Sequence, residues 1–296
     1  MKHFITFRDF SSEEIIDLLD SAYFLQKDFH ENKMDLKLKG KNFALIWDAE
    51  GFRNRVAFEM GIQIMGGTFV QVPGKLDAKE SIEDVSKYLS NWFDCIIART
   101  HPHEHMIRLT RQNRIPVINA RTDFNHPCEI LGDLLYIRNK RGFLENLKVV
   151  FVGEATNLCI SWFEAATCLP IQVTQVCPEN YEIISRVFKE LNSNPAGKLS
   201  ISNDLIENLK GADVIYTDCW PKHNDEEVRK AFLKYQIRSE HIKRYCPDVI
   251  FLPCPPVTRG EEVSSEVMEE YGTHVFEAKE NLLHVQNAVM IHLVNH

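Results

Sequence analysis

The chain has no Cys-x-x-Cys pair, although it carries eight cysteines: Cys95, Cys128, Cys159, Cys168, Cys177, Cys219, Cys246 and Cys254. That spacing excludes the usual signatures of a zinc site or a disulfide framework and leaves reduced thiols as the reading. No apolar run reaches transmembrane length. The N-terminus, MKHFITFRDF, lacks the apolar core of a signal peptide, which points to the cytoplasm. Positive charge is also short: 34 Lys and Arg against 42 Asp and Glu give a net charge of −8 and a pI near 5.9. That balance argues against a nucleic-acid or anionic-membrane partner. Internal repeats and low-complexity segments are missing too. What remains is an ordinary globular composition, 44% hydrophobic over 296 residues, which suits two domains in one chain.

Short apolar runs alternate with helical periods from end to end. Phe43–Trp47, Thr68–Val72, Cys95–Ala98 and Pro116–Asn119 predict a first parallel sheet. Val149–Val152, Ile171–Val176, Leu199–Ser202, Val214–Thr217 and Val249–Leu252 predict a second. The expected fold is therefore α/β, with two doubly wound parallel-sheet domains and ligands at the C-terminal strand ends, in a cleft between the domains. An amphipathic helix begins after Ser11-Ser12, with Glu13 and Glu14 in its first turn. In the helix after Phe43–Trp47, Val56, Met60 and Ile64 fall on one line at i+4 spacing, and Gly66-Gly67 stops it. A long helix opens at Pro127 and runs to about Asn139. The last helix spans Glu280 to about Val294, and Asn192–Lys198 is a loop.

The stretch Asp48–Glu59, DAEGFRNRVAFE, carries the chemistry. A strand feeding a helix N-terminus collects anions through backbone N–H groups and the helix dipole, and Arg53 and Arg55 stand in the first turn. Six further segments fall at or near strand ends or helix starts: ART at Ala98–Thr100, NHPCEILGDLL at Asn125–Leu135, VGEATNLC at Val152–Cys159, GADVIYTDCW at Gly211–Trp220, PCPPVTRGEEV at Pro253–Val263 and ENLLHVQ at Glu280–Gln286. With ESIEDVSKYLS at Glu80–Ser90, these segments follow the order of the transcarbamylases over nearly the whole chain. The sequence resembles the aspartate/ornithine carbamoyltransferase family, nearest its ornithine branch.

The resemblance implies a carbamoyl-phosphate-binding-like domain over 1–135 plus the C-terminal helix 280–296. It also implies an acceptor-binding-like domain over 148–278, with 127–147 as the connecting helix and link. It assigns Arg53 to the phosphate, helped by Asn54 and the backbone of Gly51 and Phe52, and sets Arg99 and His126 against the carbamoyl oxygen. Glu129 joins the donor set, and Lys79 matches a position that in parts of the family reaches a neighbouring subunit's site, which implies a homotrimer. On the acceptor side it implies Asn157 for the amino-acid backbone, Asp218 for an ammonium and Cys254 against the attacking amine. Carbamoyl transfer rests on positioning, on stabilising the oxyanion and on neutralising the departing phosphate. No cofactor is implied. The run HPHEHM places His101, His103 and His105 close together, but Pro102 interrupts it and no further His or Cys spacing supports a metal.

The departures from the family pattern are as informative as the matches. Glu50 stands where the family has Pro, Gly51 replaces Ser, Phe52 replaces Thr and Asn54 replaces Thr. Glu129 replaces Gln, Pro253 replaces His, Pro255 replaces Leu, and Leu282 replaces an Arg that completes anion binding. Over these positions the site loses one positive charge and gains two negative ones. Hydrogen bonds to charged groups contribute about 1.5–3 kcal/mol each. Losing the hydroxyls at 51 and 52, where no polar side chain replaces them, and a guanidinium should then cost roughly 4 kcal/mol, or about a thousandfold in affinity. After Trp220 the ornithine enzymes carry Ser-Met-Gly, whereas Lys222, His223 and Asn224 stand here. Lys222 and His223 suit an acceptor bearing an additional acid. The expectation is a carbamoyltransferase-family enzyme acting on an amino-acid-like amine other than plain ornithine, with carbamoyl phosphate or a modified donor. The alternatives are an inactive paralogue acting as a small-molecule-binding or regulatory protein, and a related transfer on a different activated carbonyl or imidoyl group with Cys254 and Glu129 recruited anew.

Overall fold

The structure is a computed structural model and describes residues 1–48, 51–77, 79–111, 114–221 and 226–295. The chain divides into two compact units, Met1–Leu135 with Glu280–His296, and Tyr136–Lys279.

The first unit begins with a 3₁₀ turn at Phe7–Asp9 and helix α1 (Ser12–His30). Strands β1 (Asn42–Trp47), β2 (Thr68–Val72), β3 (Cys95–Arg99) and β4 (Val117–Arg121) then alternate with α2 (Phe52–Ile64), α3 (Ile82–Leu89) and α4 (His103–Thr110). Helix α5 (Pro127–Arg141) follows, and the unit boundary falls inside it. The sheet order is β2-β1-β3-β4, all parallel. Parallel strands covered on both faces read as unbroken apolar runs, and Phe43, Ala44, Leu45 and Ile46 are all buried. Helix α1 starts at a capping box: Glu14 N–H donates to Ser11 Oγ at 3.2 Å, and Ser11 N–H donates to Glu14 Oε2 at 2.8 Å.

Helix α2 forms where expected, but its apolar i+4 line is not its buried face. Val56 and Met60 are 45% and 43% exposed, so the apolar i+4 line faces outward. The buried face carries Asn54, Phe58, Gly61 and Ile62 instead. Gly61 sits where a Cβ would stand 2.0 Å from Asn287 Oδ1, so a larger residue would collide with that amide. The helix ends as expected at Gly66-Gly67. Gly67 N–H donates to Ile62 O at 2.9 Å and Gly66 N–H to Gln63 O at 3.1 Å, with Gly66 at φ 79°. This is the double hydrogen bond of a Schellman stop.

The second unit contains β5 (Lys148–Val152), α6 (Asn157–Cys168), β6 (Gln172–Val176), α7 (Ser185–Leu191), β7 (Lys198–Ser202) and α8 (Leu205–Leu209). It continues with β8 (Val214–Thr217), α9 (Glu226–Leu233), α10 (Ser239–Tyr245), β9 (Ile250–Pro253) and α11 (Ser265–Tyr271). Helix α12 (Thr273–Val294) contains the second crossing of the unit boundary. Its sheet order is β7-β6-β5-β8-β9, again all parallel. Val150, Val152, Ile215 and Phe251 from the sheet pack with Ile237, Ile242 and Val267 from the covering segments. In both units the order reverses about a central strand (β1 or β5), the topology that opens a crevice at the C-terminal strand ends.

Candidate active site

In the first unit the sequence motifs converge on one edge. Gly51 is the N-cap of α2, with φ 151°, and as glycine it supplies no side-chain capping hydrogen bond. Gly51 is needed here for a second reason. A Cβ at this position would lie 2.4 Å from Cζ of Arg99, so the Arg99 guanidinium occupies the space that a residue-51 side chain would fill. Arg99 ends β3, is 7% exposed, and its Nε has no hydrogen-bond partner. Burial, followed by the neighbouring positive charge of Arg121, pulls its pKa down to about 10, with Glu129 pulling the other way and Arg53 adding to the repulsion. The group stays cationic at neutral pH, but at a cost that a bound anion would offset.

The two first-turn arginines of α2 have separate roles. Arg53 lies within electrostatic reach of Arg99 and stands 5.1 Å from the Phe52 ring, which is itself 70% exposed. Arg55 is tied to Glu59 at 2.7 Å one turn on. Asn54 points inward: its Nδ2 donates to Ala120 O at 3.0 Å and lies 3.4 Å from His126 Nε2, leaving its buried Oδ1 without a partner. Asn54 therefore props the loop that bears His126. His126 and Glu129 are both buried and meet at 3.5 Å, one turn apart at the start of α5.

An amide network holds that loop. Asn119 Nδ2 donates to Asn125 Oδ1 at 2.6 Å and to Ile5 O at 2.9 Å, while Thr122 N–H donates to Asn125 O at 2.9 Å. Cys128 is buried with its thiol directed to Asn119 O at 3.4 Å, and burial pushes its pKa well up, so it packs rather than reacts. Lys79 is exposed in the loop ahead of α3.

In the second unit, Asn157, Asp218 and Cys254 stand at the C-terminal ends of β5, β8 and β9, which are adjacent strands. Asn157 is the first residue of α6 and is buried. Cys254 N–H donates to Thr217 O at 2.8 Å, which sets the backbone of residue 254 beside the start of the Asp218 segment. Asp218 Oδ1 accepts from Cys219 N–H at 2.9 Å, and Cys219 Sγ lies 3.0 Å from Pro256 O. Asp218 also acts on Cys159 of α6, adding to the burial that raises that thiol's pKa. Glu50, Lys222, His223 and Asn224 lie outside the described residues.

Two residues escaped the motif reading. Arg121 ends β4 directly opposite Arg99, and the signal is a repeated Ala-Arg-Thr, at Ala98–Thr100 and Ala120–Thr122. Glu262, inside the PCPPVTRGEEV run, is buried; its Oε1 accepts from Thr258 N–H at 2.5 Å and Oε2 has no partner. Burial raises its pKa to about 7, against hydrogen bonds that lower it, with Glu261 and Asp218 adding repulsion. The histidine run disperses: His103 Nδ1 is 3.0 Å from Thr122 Oγ1, and His105 faces Asp77 at 3.8 Å. Among the described residues no group of three or more His, Cys, Asp or Glu gathers in a way that could hold a metal ion. Leu282, where the resemblance called for Arg, is buried in α12, with its backbone against Gly132.

Residues 2–139 match the carbamoyl-P binding domain of aspartate/ornithine carbamoyltransferase, and residues 145–293 match its Asp/Orn binding domain. The ornithine carbamoyltransferase of Chlorobaculum tepidum is 36% identical over 305 residues, an alignment covering 100% of this chain and 90% of that protein. The solved structure of ornithine carbamoyltransferase from Pyrococcus furiosus superposes with a TM-score of 0.92 at 33% identity, covering 98% of this chain and 96% of that one. The anabolic ornithine carbamoyltransferase of Campylobacter jejuni gives 0.91 at 32% identity, covering 100% and 99%. With both halves matched in order, this chain belongs to the aspartate/ornithine carbamoyltransferase family.

Proposed function

We propose that the protein transfers a carbamoyl group from carbamoyl phosphate to the amine of an amino-acid-like acceptor other than plain ornithine. The observation that carries this reading is the gathering of Arg53, Arg99 and His126 around the α2 turn, with Glu129 against His126. Arg53 and the α2 N–H groups, those of Phe52 and Asn54 among them, take the phosphate. Arg99 and His126 stabilise the oxyanion that forms when the amine attacks the carbamoyl carbon. The carbon–oxygen bond to phosphate then breaks, phosphate departs with its electron pair, and the proton lost by the amine passes to the departing phosphate. Glu129 accepts from the carbamoyl N–H₂, as a carboxylate oxygen can. In the second unit Asp218 holds an ammonium, Asn157 reads the amino-acid backbone and Cys254 contacts the attacking amine.

The loss expected from the missing hydroxyls and from Leu282 is offset in part by Arg121, which the charge count over the departures did not include. The acceptor assignment rests on Lys222 and His223, whose charges suit an additional acid on the substrate. The family resemblance through Lys79 also points to a homotrimer. Phe52, Val56 and Met60 on α2 and Val70 on the edge strand β2 are exposed apolar side chains that suit burial against further copies of the chain. No helix among the described residues is long and apolar enough to cross a membrane. The cysteines among them are free, in keeping with a reducing cytoplasm.

The test is phosphate release from carbamoyl phosphate across ornithine, acylated and dicarboxylic amino acids and simple diamines. Fastest turnover with ornithine would reject the acceptor assignment. Silence with every amine, alongside a melting-temperature rise on adding carbamoyl phosphate, would leave a binding protein without catalysis. Light scattering settles assembly: a monomer at working concentration would reject the trimer.

A further inference from the structure

Arg99 and Arg121 are register partners on adjacent parallel strands, and Thr100 N–H donates to Arg121 O at 3.1 Å between them. Like charges placed opposite one another in a sheet repel, and a fold keeps such a pair only with compensation. Compensation within the chain is thin. Among the described residues no carboxylate comes within ion-pair distance of either guanidinium, and the buried Nε of Arg99 has no partner. Glu129 acts on Arg99 from a distance but already meets His126 at 3.5 Å. Close by, Asn54 is 3% exposed with its Oδ1 unpartnered, and Gly51 leaves the Arg99 guanidinium room against the turn. Two strand-end guanidiniums, one of them with its buried Nε–H unused, at the start of α2 together fit a ligand carrying two negative charges on one centre.

We propose that Arg121 is a donor-binding residue: beside Arg99, whose forked guanidinium then spans the carbamoyl oxygen and the phosphate, it holds the phosphate dianion that Arg53 also meets, supplying the positive charge that Leu282 does not and balancing the negative charge of Glu129. This rests on the reading of the first unit as the donor site. The pair makes the site selective for phosphorylated donors over singly charged acyl donors, because only a dianion relieves both guanidiniums.

The experiment is calorimetric titration of the full chain with inorganic phosphate and with carbamoyl phosphate, alongside melting temperatures without ligand. For Arg121→Leu the expected result is phosphate affinity weakened by about tenfold to a hundredfold, together with an unliganded melting temperature at or above that of the wild type, since a like-charge contact is removed. Arg121→Lys keeps the charge without the planar fork and should lose several-fold. Adding Glu129→Gln to Arg121→Leu should recover part of the loss. A purely structural arginine would behave oppositely, lowering the melting temperature while leaving phosphate affinity alone. Wild-type protein that binds neither phosphate nor carbamoyl phosphate would overturn this proposal and the donor-site reading together. Wild-type binding with Arg121→Leu and Arg121→Lys both within twofold of it would overturn this proposal alone.

Discussion

Glu262 should make the second unit less stable as the solution becomes more alkaline. Its carboxyl is buried between the Thr258 turn and the Ile237 segment, accepting from Thr258 N–H at 2.5 Å while its own backbone oxygen accepts from Ile237 N–H at 3.0 Å. Burial raises its pKa from 4.5 to about 7. A group whose folded pKa is raised stabilises the fold fully below its unfolded value, and that stabilisation is lost as pH rises through the folded value. The window is therefore pH 4.5 to about 7. At about 1.4 kcal/mol per pH unit, the loss across it is on the order of 3 kcal/mol. Glu262→Gln keeps an acceptor for Thr258 and removes the titration. It leaves a buried amide N–H₂ near the unpartnered Oε2 position, which costs a constant amount at every pH. The assay is thermal unfolding of wild type and variant from pH 5 to pH 8. The wild type should lose stability relative to the variant across that range, by roughly 6–12 °C in melting temperature for a domain of this size. Parallel curves for the two proteins would refute the reasoning.

The first unit should show the opposite sign through His284, which is buried and whose pKa burial lowers to about 4 against the pull of Glu280 at 3.7 Å. Its neutral form stabilises the fold above pH 6.5, and that contribution should fade as pH falls toward 4; acid unfolding of His284→Leu should lack this limb. Arg99→Gln should cut phosphate-releasing turnover by about 10²–10³-fold in steady-state assays, the scale of losing one oxyanion donor. Gly51→Ser should weaken phosphate binding although the family carries Ser there, because its Cβ would meet the Arg99 guanidinium at 2.4 Å and the backbone stands at φ 151°; calorimetry showing tighter binding would contradict this. Asn54→Ala should cost about 1–3 kcal/mol in chemical denaturation by leaving Ala120 O unpaired in a buried place.

The sheets were legible because strands buried on both faces leave unbroken apolar runs, and all nine expected runs are strands with ends shifted by one or two residues at most. Helix α2 was legible as a helix, but which of its faces is buried was not. Its buried face holds Asn54, which props Ala120 and the His126 loop, and Gly61, which makes room for Asn287, so apolar periodicity marks the outward line of Val56 and Met60 instead. Arg53, Arg99 and His126 could be picked out because each lies in a motif at a strand end or helix start. Arg121 could not, since a lone arginine has no local signature. Only the pairing of β3 with β4 brings it opposite Arg99. The matching Ala-Arg-Thr endings were the one linear trace of that contact. Glu262 was hidden by its neighbours: among Arg259, Glu261 and Glu262 in one turn, composition alone does not say which carboxylate is buried.

The departures around the donor turn are not independent losses. A hydroxyl-bearing side chain at 51 and the present placement of Arg99 exclude each other, because the guanidinium fills the volume that the side chain would take. The missing side chain at 51 and the place of the Arg99 guanidinium are therefore one feature rather than two. Likewise Glu129 introduces a carboxylate beside His126 while Arg121 introduces a cation beside Arg99, and both act on that same arginine with opposite sign. Summing each replacement at its separate cost treats neighbours as strangers, and interacting neighbours routinely deviate from additivity by 0.5–3 kcal/mol. That deviation is of the same order as the roughly 4 kcal/mol deficit reached by summing single replacements. The chain keeps Arg99, has Leu282 in place of a guanidinium and carries Arg121 opposite Arg99, so the losses around the α2 turn cannot be summed as though nothing stood against them.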